Sequence, residues 1–313
     1  MKTYTNDYQD NSMKFAVTGG AGFIGSNIVK LLIEQNHSVS VIDNLHTGKL
    51  ENLSGFEDKI EFKEIDIRNF EELKNALKDQ DGVFHEAALT IVQESFNNPE
   101  EYHQVNVEGT KNVFTIAKDF GFKVVYASSS SIYGNVLNIP IEESCKKNPI
   151  NPYGKTKLDD EILAKEFANK GVEIIGLRYF NVYGIGQTGS YAGVITKFMN
   201  NLGKGKPPII NGRGEQVRDF IYVKDVALAN TAAMQSKVKH GFFNIGTGKT
   251  ISIKKLAEIM IKIYNIPTKP IFGPALKGDV EKSQASIELT EKLLGWRYKT
   301  ELEEGLKKIT NPN

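Results

Sequence analysis

The stretch "VTGGAGFIGSN" constrains the fold of this chain more than any other. Gly19, Gly22 and Gly25 stand three residues apart, between the apolar run "KFAVTG" and a helical pattern over 23–35. In that pattern Ile24, Ile28, Leu31 and Leu32 fall on one stripe. Glycines so spaced let a backbone turn tightly from strand to helix and come close to a pyrophosphate. The anion then sits where the helix offers free N–H groups and the positive end of its dipole. A glycine triplet alone is a weak signal, but here its context fits on both sides. Asp43 closes the next apolar run, "SVSVID", near the spacing of about 20 residues at which a carboxylate accepts both hydroxyls of a ribose. A carboxylate there repels a 2′-phosphate, and no basic residue follows until Lys49, so NAD is favoured over NADP. The plainer alternative is a glycine turn followed by a solvated aspartate.

Beyond this turn the pattern keeps alternating. "IEFKEID", "GVFHEAA", "KVVYASS" and "VEIIGLRYF" read as strands, and 99–120 and 151–170 as helices. Asn69 and Glu72 read as an N-cap with its capping-box partner. Such alternation predicts an α/β fold: a Rossmann-like, doubly wound parallel sheet with helices on both faces. After about Tyr183 the texture changes, with Gly and Pro clustered in "GIGQTGS", "GKGKPP" and "NGRGEQ" and shorter elements following. The expected organisation is a flexible arm over 1–12, a dinucleotide-binding domain over 13–184 and a smaller α/β substrate-binding lobe over 185–313. Residues 219–247 return in part to the first domain.

The 313 residues suffice for one large domain or two intimate ones. With 39 basic against 38 acidic residues, no charge field favours nucleic acid or an acidic membrane surface. A single cysteine, Cys145, excludes an internal disulfide, and no pair of histidines has metal-ligand spacing, so no metal is expected. No apolar run reaches membrane-spanning length and the N-terminus lacks a signal-peptide core, so the expectation is a cytoplasmic protein.

One strand end is unusual. "KVVYASSSSIYGN" begins as a buried strand and runs into Ser128, Ser129, Ser130 and Ser131. A turn needs one or two small polar residues, so the four hydroxyls are either a loose connection or a surface presented to a ligand. Tyr153 and Lys157, four apart in "NPYGKTK", share one face of the helix that follows. Among twelve tyrosines this spacing says little by itself. Placement says more, because the pair lies just after the serine-ended strand. A nearby ammonium and a cationic oxidised nicotinamide favour the phenolate of a tyrosine, which can then take a proton from a sugar hydroxyl.

At this point "TGGAGFIG", "YASSSSIYG", "YGKTK", "LRYFNVYG" and "RDFIYVKDVA" together resemble the extended short-chain dehydrogenases, specifically the nucleotide-sugar 4-epimerases. The resemblance runs from Lys14 to about Leu306, with the motifs in family order. It implies that bound NAD+ oxidises C4 of a UDP-sugar to a 4-keto intermediate, which is then reduced on its other face. It implies Ser129, Tyr153 and Lys157 as the catalytic residues. It further implies that Gly19, Gly22, Phe23, Ile24, Gly25, Asp43, Asn44, Asp66, Ile67, Ala87, Ala88, Asn106 and Phe180 hold the cofactor with Tyr153 and Lys157. For substrate it implies Ser129, Ser130, Tyr153, Asn181, Val194, Ile209, Asn211, Arg218, Asp279 and Ser283.

The sister dehydratases and decarboxylases carry an acidic residue just after the catalytic serine or threonine, where this chain has Ser130 and Ser131. A uronic-acid 4-epimerase needs a cation that "YGIGQTG" does not offer. A catalytically silent NAD sensor would not need Ser129, Tyr153 and Lys157. Two departures concern the nucleotide end. Leu276 stands where the family usually has an arginine, with Lys277 beside it as a substitute point charge. Thr90 stands where many epimerases have a lysine. Ser283 takes the place of a bulky tyrosine found in relatives restricted to glucose and galactose, which leaves room for an N-acetyl group. The resemblance also implies a homodimer through the helices that carry Val105, Val113, Ile116 and Ala117 and then Ile162, Leu163 and Phe167.

Overall fold

The computed structural model describes residues 12–187, 193–276 and 278–310. The expected arm over 1–12 therefore lies outside the described residues except for Ser12, and so does Lys277. The first half alternates as the sequence pattern predicts: β1 (Lys14–Thr18), α1 (Phe23–Glu34), β2 (Ser38–Asp43), β3 (Ile60–Glu64), α2 (Phe70–Ala76) and β4 (Gly82–His85). Asn69 caps α2 by accepting the Glu72 N–H at 3.4 Å. The return half of the expected capping box is replaced, because the Asn69 N–H goes to the Asp66 carbonyl at 2.9 Å.

The expected helix over 99–120 is three pieces. After the short α3 (Val92–Ser95), α4 (Pro99–His103) passes through a π-helical turn at Gln104–Glu108 into α5 (Gly109–Phe120). The wider turn lets Asn106 reach sideways. It accepts from Leu89 N at 2.8 Å and donates to Leu89 O and to Thr156 Oγ1 at 3.0 Å each. Such bulges recur at functional sites, and this one fixes the loop after β4.

β5 (Lys123–Ser129), α6 (Pro152–Ala168) and β6 (Ile174–Tyr179) complete the alternation. The chain then leaves the main sheet at Phe180. β7 (Asn181–Tyr183), α7 (Val194–Leu202), β8 (Ile209–Asn211), β9 (Val217–Arg218) and β10 (Phe220–Tyr222) follow. Next come α8 (Val223–Gln235), β11 (His240–Ile245), β12 (Ile251–Ser252), α9 (Ile253–Tyr264), β13 (Ile271–Gly273), α10 (Glu288–Leu294) and α11 (Leu302–Thr310).

Seven parallel strands form the central sheet in the order β11-β6-β5-β4-β1-β2-β3. β1 lies in the interior of the sheet; Val17 pairs with Val41 on one side and Phe84 on the other. Because strand order reverses beside β1, the crevice at its C-terminal end is where such sheets bind ligands. One core packs α1 and α8 on one face, including Ile28, Val29, Leu32, Val226 and Ala229. The other face carries α2, α5 and α6 through Leu73, Val113, Phe114, Ala164 and Phe167. Each fully buried large side chain of this kind contributes about 1.5–3 kcal/mol. A separate core gathers Tyr183, Phe198, Ile210, Tyr222, Leu256 and Met260.

This packing corrects the argument for the expected dimer helices. Val113, Ile116, Ala117 and Phe167 are buried against the sheet, so they have no surface to offer a second chain. Of the residues named for pairing, Ile162 is exposed on α6.

Candidate active site

The C-terminal ends of β1, β2, β4, β5 and β6 open on one cleft. Gly19 forms its floor with φ +68°, and a Cβ there would stand 2.7 Å from Ala87 N. A side chain at Gly25 would collide with the Gly19 carbonyl. Only glycine lets β1, the loop after β4 and the first turn of α1 meet this closely. Asp43 ends β2 with Oδ2 accepting the Ala21 N–H at 3.0 Å and Oδ1 accepting the Leu45 N–H at 2.8 Å. Burial pushes its carboxyl above the usual range, and those two N–H bonds oppose the shift. A glycine cradle at a helix N-terminus beside a fixed carboxylate fits a dinucleotide pyrophosphate and its adenosine ribose. Phe23, Ile24, Gly22, Ala87, Ala88 and Phe180 line the same cleft.

Asn44, Asp66 and Ile67 also line it, together with a residue the sequence reading missed. Arg68 grips Asp66 with Nε at 2.9 Å and Nη2 at 2.7 Å, and reaches Glu101 with Nη1 at 3.0 Å. The hydrogen bonds from Arg68 hold the Asp66 carboxyl down at about 2. Arg68 comes from the loop after β3, beyond the stretch from Asp43 to Lys49 that carries the cofactor argument in the sequence. Its fork is occupied by two carboxylates, so a second phosphate would have to displace them.

At the other end the four serines divide their work. Ser128 Oγ turns inward and donates to Glu161 Oε1 at 2.8 Å. Ser129 lines the cleft; its Oγ accepts the Ser131 N–H and donates to Ser131 Oγ, both at 3.1 Å. Ser130 opens the short 3₁₀ turn Ser130–Tyr133. Asn151 caps α6 by accepting the Gly154 N–H at 2.8 Å, and Pro152 suits the first turn. Tyr153 is held by its N–H on Ser95 Oγ at 3.2 Å. Lys157, one turn later, is buried and pairs with Asp160 at 3.2 Å. The structure thus brings Ser129, Tyr153 and Lys157 onto one cleft wall.

Behind this wall Glu161 and Arg178 form a buried two-point ion pair with both N···O distances at 2.8 Å. Arg178 also donates to Tyr133 OH at 2.7 Å, which in turn donates to Asn244 Oδ1 at 2.7 Å. The network ties the serine-bearing end of β5 to α6, β6 and β11.

Glu86 was also missed, although the polar residue in "HEAA" interrupts an apolar strand end. It lines the cleft and accepts from Tyr179 OH at 2.8 Å, while Asn230 Nδ2 donates to the same hydroxyl at 2.8 Å. Burial pushes its carboxyl up to about 8, against Tyr179 and Lys157, which pull it down. The cleft therefore holds a carboxyl that positions 130 and 131 do not supply. Asn106 is not on the wall; it is buried and holds Leu89, which lines the cleft.

Of the residues expected at the substrate, Ser129 and Tyr153 line this cleft. Arg218, Asp279 and Ser283 are gathered elsewhere. The Arg218 guanidinium bonds Asp279 and the carbonyls of Val280 and Glu281, and Ser283 N donates to Val217 O at 3.1 Å. Ser283 is 4% exposed. Asn181 donates its side-chain N–H to Asp219 O at 3.0 Å. Val194 opens α7, while Ile209 and Asn211 lie on β8, where Ile209 is exposed. Thr90 lies exposed at the cleft mouth, and Leu276 is exposed before the segment that carries Asp279.

Residues 15–246 match the family described as "NAD dependent epimerase/dehydratase family". Among solved structures, the UDP-N-acetylglucosamine 4-epimerase of Methanobrevibacter ruminantium, in complex with UDP-N-acetylmuramic acid, is 36% identical. It covers 96% of this chain and 97% of its own, with a TM-score of 0.91. The UDP-glucose 4-epimerase of Thermotoga maritima with UDP-glucose is likewise 36% identical, over 95% and 97%, with a TM-score of 0.91. A UDP-glucuronate 4-epimerase of Thermodesulfobacterium geofontis is 35% identical over 95% of each chain. The three differ in sugar and share epimerisation at C4 of a UDP-sugar. With a glycine turn, the Asp43 carboxylate and Ser129, Tyr153 and Lys157 lining one cleft, the chain belongs to the NAD dependent epimerase/dehydratase family.

Proposed function

We propose that this protein is an NAD-dependent UDP-sugar 4-epimerase that interconverts UDP-GlcNAc and UDP-GalNAc and also accepts UDP-Glc and UDP-Gal. The observation that carries the reading is the single cleft shared by the glycine turn, Asp43, Ser129, Tyr153 and Lys157. NAD+, when bound there, supplies oxidation and re-reduction at C4 within one cycle. Asp43 accepts the adenosine ribose hydroxyls. Ser129 Oγ hydrogen-bonds the C4 oxygen, and the Tyr153 hydroxyl takes its proton and later returns it. The Lys157 ammonium favours the phenolate and helps hold the cofactor.

Arg218 and Asn181 grip the diphosphate and Asp279 accepts from the uridine ribose. On this assignment the Arg218–Asp279 pair rearranges when the nucleotide enters. Acceptance of N-acetylated sugars rests on Ser283, whose small side chain leaves room for the acetamido group. Carboxylate sugars are disfavoured because 183–189 carries no cation. The cofactor domain spans 13–184 with 219–247 in part, and the sugar lobe 185–313. We assign a cytoplasmic homodimer, with the exposed Ile162 face of α6 as the contact.

Among the described residues no helix is long and apolar enough to cross a membrane. The test is to denature the purified protein, identify the released nucleotide by mass, and incubate the native protein with each UDP-sugar without added cofactor. Release of NAD and an equilibrium mixture of the 4-epimers are expected. A requirement for NADP(H), or consumption of one NADH per product, would overturn the reading.

A further inference from the structure

Behind the cleft lining lies a buried charge that proton transfer by Tyr153 and Lys157 alone does not use. Asp160 follows Lys157 on α6, and its Oδ2 stands 3.2 Å from Lys157 Nζ, with the two side chains 0% and 3% exposed. Asp160 Oδ1 has no hydrogen-bond partner among the described residues, and neither has the buried Tyr126 hydroxyl on β5. Asp160 faces Tyr126, whose phenol feels its charge, and has Asp159 and Glu161 as neighbours on its own helix. His85 and Glu86 at the β4 end also feel the Lys157 charge, and Arg178 on β6 is turned to Glu161. A helix-surface ion pair would be solvated and weak. This one is enclosed, and one of its members is the ammonium beside the proton-transferring tyrosine.

We propose that Asp160 is a positioning residue for the 4-epimerase reaction: by pairing with Lys157 from inside α6 it fixes the ammonium and offsets part of its charge, and so sets the pH at which Tyr153 can accept a proton. The inference rests on the assignment of Tyr153 and Lys157 to proton transfer. Burial pushes the Asp160 carboxyl up to about 7, so its charge changes near neutral pH. When ionised, Asp160 opposes the phenolate; when protonated, it leaves the Lys157 field undiminished. Tyr153 and Asp160 lie about 10 Å apart along the helix axis, and one charge at that distance in an effective dielectric of about 20 is worth about one pH unit.

Three proteins are compared: wild type, D160N and D160E, with D160S as a second uncharged variant in case D160N melts at a much lower temperature. Turnover of the NAD-bound enzyme with UDP-GlcNAc is followed across the neutral and mildly alkaline range. D160N or D160S is expected to reach half-maximal kcat at a pH lower by up to about one unit, and D160E to keep the wild-type profile. The second readout needs no turnover. Tyrosinate absorbance is titrated with and without Y153F, and the difference isolates Tyr153. Its onset moves to lower pH in D160N by the same amount. Superimposable difference titrations in wild type and D160N would overturn the proposal even if all proteins were inactive. Absence of turnover in wild type with a shifted titration would support the proposal while counting against the assigned reaction.

Discussion

Replacing Arg178 with methionine tests how the serine-bearing strand is held. Arg178 and Glu161 are joined by two 2.8 Å bonds and are 3% and 2% exposed in their side chains. Without the guanidinium, the Glu161 carboxylate keeps the Ser128 Oγ bond at 2.8 Å, and Tyr133 OH loses a donor. Breaking a buried pair by removing one member costs about 3–5 kcal/mol, because an uncompensated charge remains. For 313 residues, an unfolding entropy of about 2.1 cal/mol/K per residue sums to roughly 0.66 kcal/mol/K. The melting midpoint should therefore fall by about 5–8 °C. Replacing both members, as E161L/R178M, removes the stranded charge and should recover most of that loss. Circular dichroism melts of wild type, the two single variants and the double variant at one pH measure this. A drop under about 2 °C for R178M, or a double variant that falls by the sum of the two singles, would refute the claim that the pair is a coupled buried unit.

Two further outcomes follow from the site. Glu86 keeps its proton in the folded cleft up to about 8, whereas an unfolded glutamate loses it near about 4.3, so its stabilising contribution is full below about 4.3 and is lost as pH rises through about 8. E86Q should accordingly gain in melting midpoint relative to wild type as pH is raised across that window; a constant difference would show that the carboxyl is not held protonated. S283Y puts a ring where a 4% exposed side chain sits and should selectively lose turnover of UDP-GlcNAc and UDP-GalNAc. Equal loss on the glucose and galactose pair, or none, would show that Ser283 does not gate the sugar.

Much of the fold was legible because the sheet is buried on both faces, which writes continuous apolar runs between helical stripes. The glycine turn and Asp43 could be read from spacing along consecutive elements, and the Tyr153–Lys157 face from its place on the helix after the serine-ended strand. What escaped has a common physical cause. Arg68 and Glu86 enter the cleft from the loops after separate strands, so their meeting depends on sheet order rather than spacing. Asp160 looks like one more solvated helix charge until α6 is packed on the sheet. The π-helical turn that redirects Asn106 leaves no mark in apolar periodicity. Val113, Ile116, Ala117 and Phe167 did not mark a surface for the converse reason: they are apolar because they cover the sheet.

The most direct test of the account is the rate of Y153F on UDP-GlcNAc, followed by proton NMR of the anomeric signals with no cofactor added. The substitution keeps the ring and removes the hydroxyl that exchanges a proton with the C4 oxygen. The account predicts a fall in kcat of about 10²–10⁴-fold with KM little changed, because an interaction made in the transition state has been lost. A Y153F enzyme that interconverts the two epimers at a near-native rate would contradict it.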